Sequence, residues 1–233
     1  MKKLPQTGLK LIACITMLLD HLGHVFIHQP YGLYIALRII GRLSFPIYCF
    51  LITEGVAHTK SPAKYLLRLA VLAVLSEPFF DLMCFGQLSW AKQSVMVTLL
   101  MGAVMCLIIQ KLPKFWMKLP VVIPFYLLAP YLCSDYGNKG ILIIAMFMLT
   151  RELPWQTLWR VLLMGGLCLY FGGFGVRLLG FTIPSYWFAF LAIVPILLYS
   201  GQKGRAPKAL TVGMNLFYPV HLAIIAAVKL IFF

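Results

Sequence analysis

Asp20 and His21 stand side by side in the middle of an apolar run that extends from Leu9 to His28. A carboxylate at the centre of a bilayer costs about 2.5–3.5 kcal/mol, so a chain that keeps one there must pair it, hydrate it or use it. The neighbouring imidazole titrates near neutral pH, which suits a general base acting on an amine or hydroxyl nucleophile. Asp20 and His21 are therefore the catalytic candidates. Five of the six acidic residues, Asp20, Glu54, Glu77, Asp81 and Asp135, lie within or at the ends of apolar runs, and Arg38 and Arg42 occupy the run that follows the first.

The elements that must carry these groups are membrane helices. With 62% hydrophobic and 11% charged residues, the chain cannot hide its apolar surface in one soluble core of this size. Runs near the length that crosses a bilayer are Leu9 to His28, Leu33 to Ala57, Tyr65 to Phe85, Ser94 to Ile109, Leu119 to Cys133, Gly140 to Leu149, Val161 to Gly175, Leu178 to Ser200 and Leu210 to Val228. The expected fold is all-α: a polytopic transmembrane bundle of about nine helices forming a single integral membrane domain over residues 1–233. Leu119 to Cys133 carries Pro120, Pro124 and Pro130, and Gly140 to Leu149 is short. That pair is compatible with a re-entrant hairpin.

Basic residues fall in alternate connections: Lys2, Lys3 and Lys10; Lys60, Lys64 and Arg68; Lys111, Lys114 and Lys118; Arg151 and Arg160; Lys203, Arg205 and Lys208. The other connections hold Lys92, Lys139 and Arg177. This bias places the N-terminus in the cytoplasm. It also accounts for the net charge of +14 as a topology signal and contact with anionic lipid. Charges spread over five short loops form no groove-sized patch, which excludes nucleic acid as a partner. The first run lacks a cleavage pattern and is expected to remain. The six cysteines are scattered packing residues, with Cys84 and Cys133 the one pair placed near outer helix ends.

Spacing converts into direction, because residues four apart share a helix face. Asp20 with His24, Arg38 with Arg42, and Glu77 with Asp81 are such pairs. At a rise of about 1.5 Å per residue, Asp20 lies about 16 Å in from the cytoplasm, and Arg38, Arg42, Glu77 and Asp81 fall between the midplane and the outer boundary. Glu54 lies near the cytoplasmic end of the second run. Adjacent helical residues diverge by about 100°, so Asp20 does not orient His21 directly. The cluster serves either as an ion-pair network that fixes packing or as a chemical chamber, and adjacent titratable groups favour chemistry. Asp20, His21, His24 and His28 have chelating spacing, but Arg38 and Arg42 oppose a cation, so no metal is expected. A proton-coupled transporter built on the same Asp/His/Arg network is the alternative, although no inverted repeat accompanies it. His221, in Tyr218-Pro219-Val220-His221, is a core histidine or a further site group, and isolated Gly41 and Gly55 permit close helix packing.

The order Met17-Leu18-Leu19-Asp20-His21-Leu22-Gly23, then Gly41-Arg42-Leu43-Ser44-Phe45-Pro46-Ile47-Tyr48 and Glu54-Gly55, resembles the TraX family of bacterial membrane proteins. Ser76-Glu77-Pro78-Phe79-Phe80-Asp81, Asp135-Tyr136-Gly137 and Tyr218-Pro219-x-His221 extend the resemblance over nearly the whole chain. It implies an acyltransferase of the bacterial cytoplasmic membrane that carries acetyl from cytosolic acetyl-CoA, as co-substrate, to an extracytoplasmic peptide or small-molecule acceptor, as in N-terminal acetylation of pilin. Carried over, Asp20, His21, Arg42, Glu54, Glu77, Asp81 and His221 are the family-type functional positions, with Arg38, Asp135 and Tyr218 in support. Acetyl-CoA's phosphates would then meet Lys111, Lys114, Lys118, Arg151, Arg160, Lys203 or Arg205.

Overall fold

Charged side chains sit inside this molecule while large apolar ones face out. Leu67, Val71, Val74 and Leu75 form an exposed stripe on the helix whose buried face carries Asp81. Hydrocarbon solvates such a stripe and water does not, so the pattern is that of a membrane protein. The computed structural model describes residues 4–27, 29–173, 175–178 and 181–232. The expectations for Lys2, Lys3 and His28 lie outside them.

The α-helices are α1 (Gln6–Phe26), α2 (Tyr31–Gly41), α3 (Ser44–His58), α4 (Pro62–Phe85), α5 (Val95–Lys111), α6 (Phe115–Tyr131), α7 (Gly137–Leu149), α8 (Gln156–Phe171), α9 (Ile193–Leu197) and α10 (Lys208–Phe232). Three stretches, Gln6–Phe26, Tyr31–His58 and Lys208–Phe232, are long and apolar enough to cross a membrane. The fold is nearly all-α, its one sheet among the described residues being the hairpin β1 (Gly175–Leu178) and β2 (Phe181–Pro184).

Two compact units divide the chain. The first takes Met1–Tyr48 and Thr157–Phe217, the second Cys49–Gln156 and Tyr218–Phe233. In the first, α1 and α2 pack as an antiparallel pair: a Cβ on Gly41 would stand 2.3 Å from Asp20, and one on Gly23 would stand 2.8 Å from Leu37. Glycine at both points lets the backbones approach. Leu4 lies alongside Tyr199, its N–H donating to Leu198 O at 3.0 Å and its carbonyl accepting from Ser200 N at 2.8 Å.

Two sequence expectations change in this unit. Leu33 to Ala57 is two helices, α2 and α3, broken at Arg42 and Leu43, whose N–H groups donate to Ile39 and Ile40 three residues back at 3.1 and 3.2 Å. Pro46 explains the break, because it has no N–H for the Arg42 carbonyl and its ring would strike that carbonyl in a continuous helix. Leu178 to Ser200 is likewise not one helix: β1 and β2 are followed by a 3₁₀ segment at Ser185–Ala192 and the short α9. Gly172 and Gly173, with φ of 63° and 110°, end α8 before the hairpin, as left-handed glycines do at helix termini.

In the second unit, α5 and α7 form the centre, with α4 packed on α5 and α6 packed on both α5 and α7. Phe50 meets Phe147 edge to face at 5.4 Å. The proline-bearing run is an unbroken helix, α6, with Pro120, Pro124 and Pro130 all on exposed positions. All six cysteines, Cys84 and Cys133 included, are free.

Candidate functional site

The first unit builds its polar site on the antiparallel pair α1 and α2. Asp20 Oδ2 accepts from Arg38 Nη1 at 2.8 Å, with both side chains more than four-fifths buried. The carboxylate occupies the space that Gly41 leaves by having no side chain. Charge thus meets charge at one level of the helix pair, which is how a bundle holds ionised groups at tolerable cost. Arg38 Nε is buried and has no hydrogen-bond partner among the described residues. His21 is half-buried on the adjacent position and His24 is exposed, one turn nearer the helix end.

The break at Arg42 corrects the expectation that Arg38 and Arg42 share a helix face. Arg42 belongs to the turn, and its guanidinium lies over the Tyr186 ring, 5.3 Å from the centroid, a cation–π arrangement. Tyr186 in turn packs against Phe171 at 5.9 Å and donates its N–H to Gly172 O at 3.2 Å. The rest of the Gly41-to-Tyr48 motif ties down α1: Ser44 Oγ donates to the Ala13 carbonyl at 2.9 Å, and the Tyr48 hydroxyl meets Cys14 Sγ at 3.1 Å. Gly41, Arg42, Ser44 and Tyr48 thus each meet a different residue.

The second unit holds its carboxylates differently. Glu77 accepts from the backbone N–H of Ser94 at 2.9 and 3.2 Å through its two oxygens, and Asp81 Oδ2 accepts from the N–H of Ser89 at 3.0 Å. The connection between α4 and α5 therefore folds back over the end of α4. It also joins the turn before α7, where Gln93 N donates to Cys133 O and Asp135 N to Gln93 O, both at 2.9 Å. Asp135 pairs with Lys92 at 2.7 Å, and its carbonyl accepts from the Thr98 hydroxyl. Cys133, Tyr136 and Gly137 have φ of 49°, 61° and 44°. Positive φ on the two residues that carry a Cβ costs about 1–2 kcal/mol each, so this turn is held against its own preference. Asp81 Oδ1 and Ser94 Oγ are buried without a partner among the described residues. Tyr218 and His221, both buried, stack edge to face at 5.6 Å.

Glu54 is buried in the second unit. Arg151 donates to it, and His58 Nδ1 lies 3.9 Å from its carboxylate and 2.9 Å from its backbone carbonyl. Lys118, expected on a loop near phosphates, is instead buried inside α6 and paired with Glu152. That helix begins at Phe115, four residues earlier than its apolar run, which draws Lys118 inward. Lys118 and Arg151 are thus occupied by carboxylates of their own unit.

The structure pairs Asp20 with Arg38 in one unit and gathers Glu77, Asp81 and Asp135 around the loops of the other. Sequence reasoning missed Tyr186, Ser89, Ser94, Thr98, Lys92 and Glu152 as partners. Only Lys92 and Glu152 carried a signal, as charges with opposite charges to find. Among the described residues no three His, Cys, Asp or Glu side chains gather as a metal-binding set.

Residues 6–229 match the family model described as TraX protein. A "Probable fimbrial assembly protein FimC, serogroup H1" of Dichelobacter nodosus is 31% identical over 242 residues, covering 95% of this chain and 94% of that protein. No solved structure matches. The match runs through both units and takes in every candidate residue, and the chain belongs to the TraX family.

Proposed function

We propose that this protein is an acyltransferase of the bacterial cytoplasmic membrane, with its N-terminus in the cytoplasm, that moves acetyl from acetyl-CoA to the terminal amine of a pilin-type peptide. The observation that carries this reading is the buried Asp20–Arg38 pair beside His21, within a chain similar over almost its full length to a fimbrial assembly protein. In the reaction, His21 takes the proton as the amine nitrogen attacks the thioester carbonyl carbon. The new C–N bond forms, the C–S bond breaks, and the departing thiolate takes the proton back from the imidazolium, giving the amide and free CoA. Arg38, held by Asp20 and with no partner for its Nε–H among the described residues, would stabilise the oxyanion that develops on the carbonyl oxygen.

The test is incorporation of labelled acetyl into a pilin-type N-terminal peptide by the protein in nanodiscs, compared with the His21→Ala variant. The expected loss is about 10²-fold or more, with folding and membrane insertion unchanged. Full activity in the variant removes His21 from the mechanism. Proton-driven solute uptake by proteoliposomes, with no acetyl transfer, would replace the enzyme reading by that of a transporter.

A further inference from the structure

A pocket of about 450 Å³ in the first unit, lined by Thr7, Lys203, Gly204, Arg205, Ala206, Pro207 and Thr211, has no role in the reading above. We infer that it binds the phosphate groups of a phosphate ester, and, resting on the function proposed above, that this ester is the nucleotide end of the acetyl donor. The loop between α9 and α10, Gly201-Gln202-Lys203-Gly204-Arg205, turns through two left-handed glycines, Gly201 and Gly204, with φ of 76° and 79°. At Gly204 a Cβ would stand 2.5 Å from Thr7 Oγ1 and 2.7 Å from Pro5 Cβ, so the loop lies directly on the start of α1. Gln6 and Thr7 donate their N–H groups to Gln202 and Lys203 carbonyls at 2.8 and 3.3 Å. These bonds fix the loop and also use up those two helix N–H groups, so the affinity must come from the side chains.

Those side chains are a lysine, an arginine and the Thr7 hydroxyl, the Thr211 hydroxyl donating instead to the Pro207 carbonyl at 3.3 Å, and no carboxylate among the described residues lines the pocket. A fork of guanidinium donors with an ammonium beside it matches the oxygens of a phosphate. Lys203 and Arg205 are exposed, unlike Lys118 and Arg151, which pair with Glu152 and Glu54. A phosphate from an anionic lipid headgroup has the same chemistry, and experiment separates the two sources.

The protein is placed in nanodiscs of phosphatidylcholine alone or with phosphatidylglycerol, and its thermal stability is followed with adenosine 3′,5′-bisphosphate as the probe. The expected result is stabilisation by the nucleotide in both lipids, weakening as salt rises. In Lys203→Gln/Arg205→Gln the nucleotide binds about tenfold or more weakly. Lys60→Gln/Lys64→Gln, which removes the same charge at two exposed positions of another connection, leaves binding unchanged. Stabilisation only on adding phosphatidylglycerol, lost in the same double variant, assigns the pocket to a lipid headgroup. Equal binding by the double variant and the native protein overturns the inference. Should the double variant not fold, protection of Lys203 from an amine-reactive label by the nucleotide in the native protein decides, and absence of protection in both lipids overturns the inference. All of these readouts are binding, so a protein that binds nucleotide yet transfers no acetyl retains the pocket and loses the enzyme reading.

Discussion

Asp20 and Glu77 are both carboxylates carried on apolar helices, and the protein keeps them by opposite means. In the first unit Asp20 faces the guanidinium of Arg38, and the match depends on two side chains and on one glycine that leaves them room. In the second unit Glu77 and Asp81 accept from the backbone of Ser94 and Ser89, so the compensation comes from peptide dipoles that no side-chain substitution removes. The first arrangement buries a cation against its carboxylate. The second leaves its carboxylates net negative, with Lys92 turned to Asp135. Helix dipoles and loop amides hold charge without neutralising it, whereas an ion pair does both.

The contrast breaks most readily at Arg38. Arg38→Ala removes the partner of a buried carboxylate and should cost about 3–5 kcal/mol, followed by denaturant unfolding in detergent. An Asp20→Leu/Arg38→Leu double variant should be markedly more stable than that single one; if it is not, the pair is not a matched one. Glu77→Gln keeps an acceptor for Ser94 and loses only the charge, so the expected cost is about 1–3 kcal/mol. A loss as large as that at Arg38 would show that the two units hold their carboxylates alike. Gly137→Ala, at a φ of 44°, should cost about 1 kcal/mol, seen as a modest drop in melting temperature. Lys92→Ala removes an ion pair whose lysine is half-exposed, and its effect should stay below about 1 kcal/mol and vanish at high salt.

The long helices were legible because an apolar run of membrane length has few other structures open to it. This reasoning finds α1, α4, α5 and α10 to within a few residues. It fails at Leu178 to Ser200, where apolar content is equally high but β-branched Thr182 and Ile183, following the Gly172-Gly173 pair and the single glycines Gly175 and Gly180, favour a hairpin. It fails at Arg42 because Pro46 acts one turn upstream, so the residue that moves is not the residue that causes the movement. Asp20 finding an arginine one helix away was open to spacing. Glu54 finding Arg151, 97 positions along the chain, was not, since helix periodicity gives the direction of a side chain and not which distant helix stands there. The donors to Glu77 and Asp81 left no trace in residue type at all, because every residue but proline has a backbone N–H.

Leu4, stitched between Leu198 and Ser200, makes the amino end of the chain a splint for the glycine loop some two hundred positions away. Trimming through Pro5 for expression would take out the backstop on which Gly204 rests along with a few harmless-looking residues. The behaviour of a shortened protein towards anions would then report on the missing splint and not on the native surface.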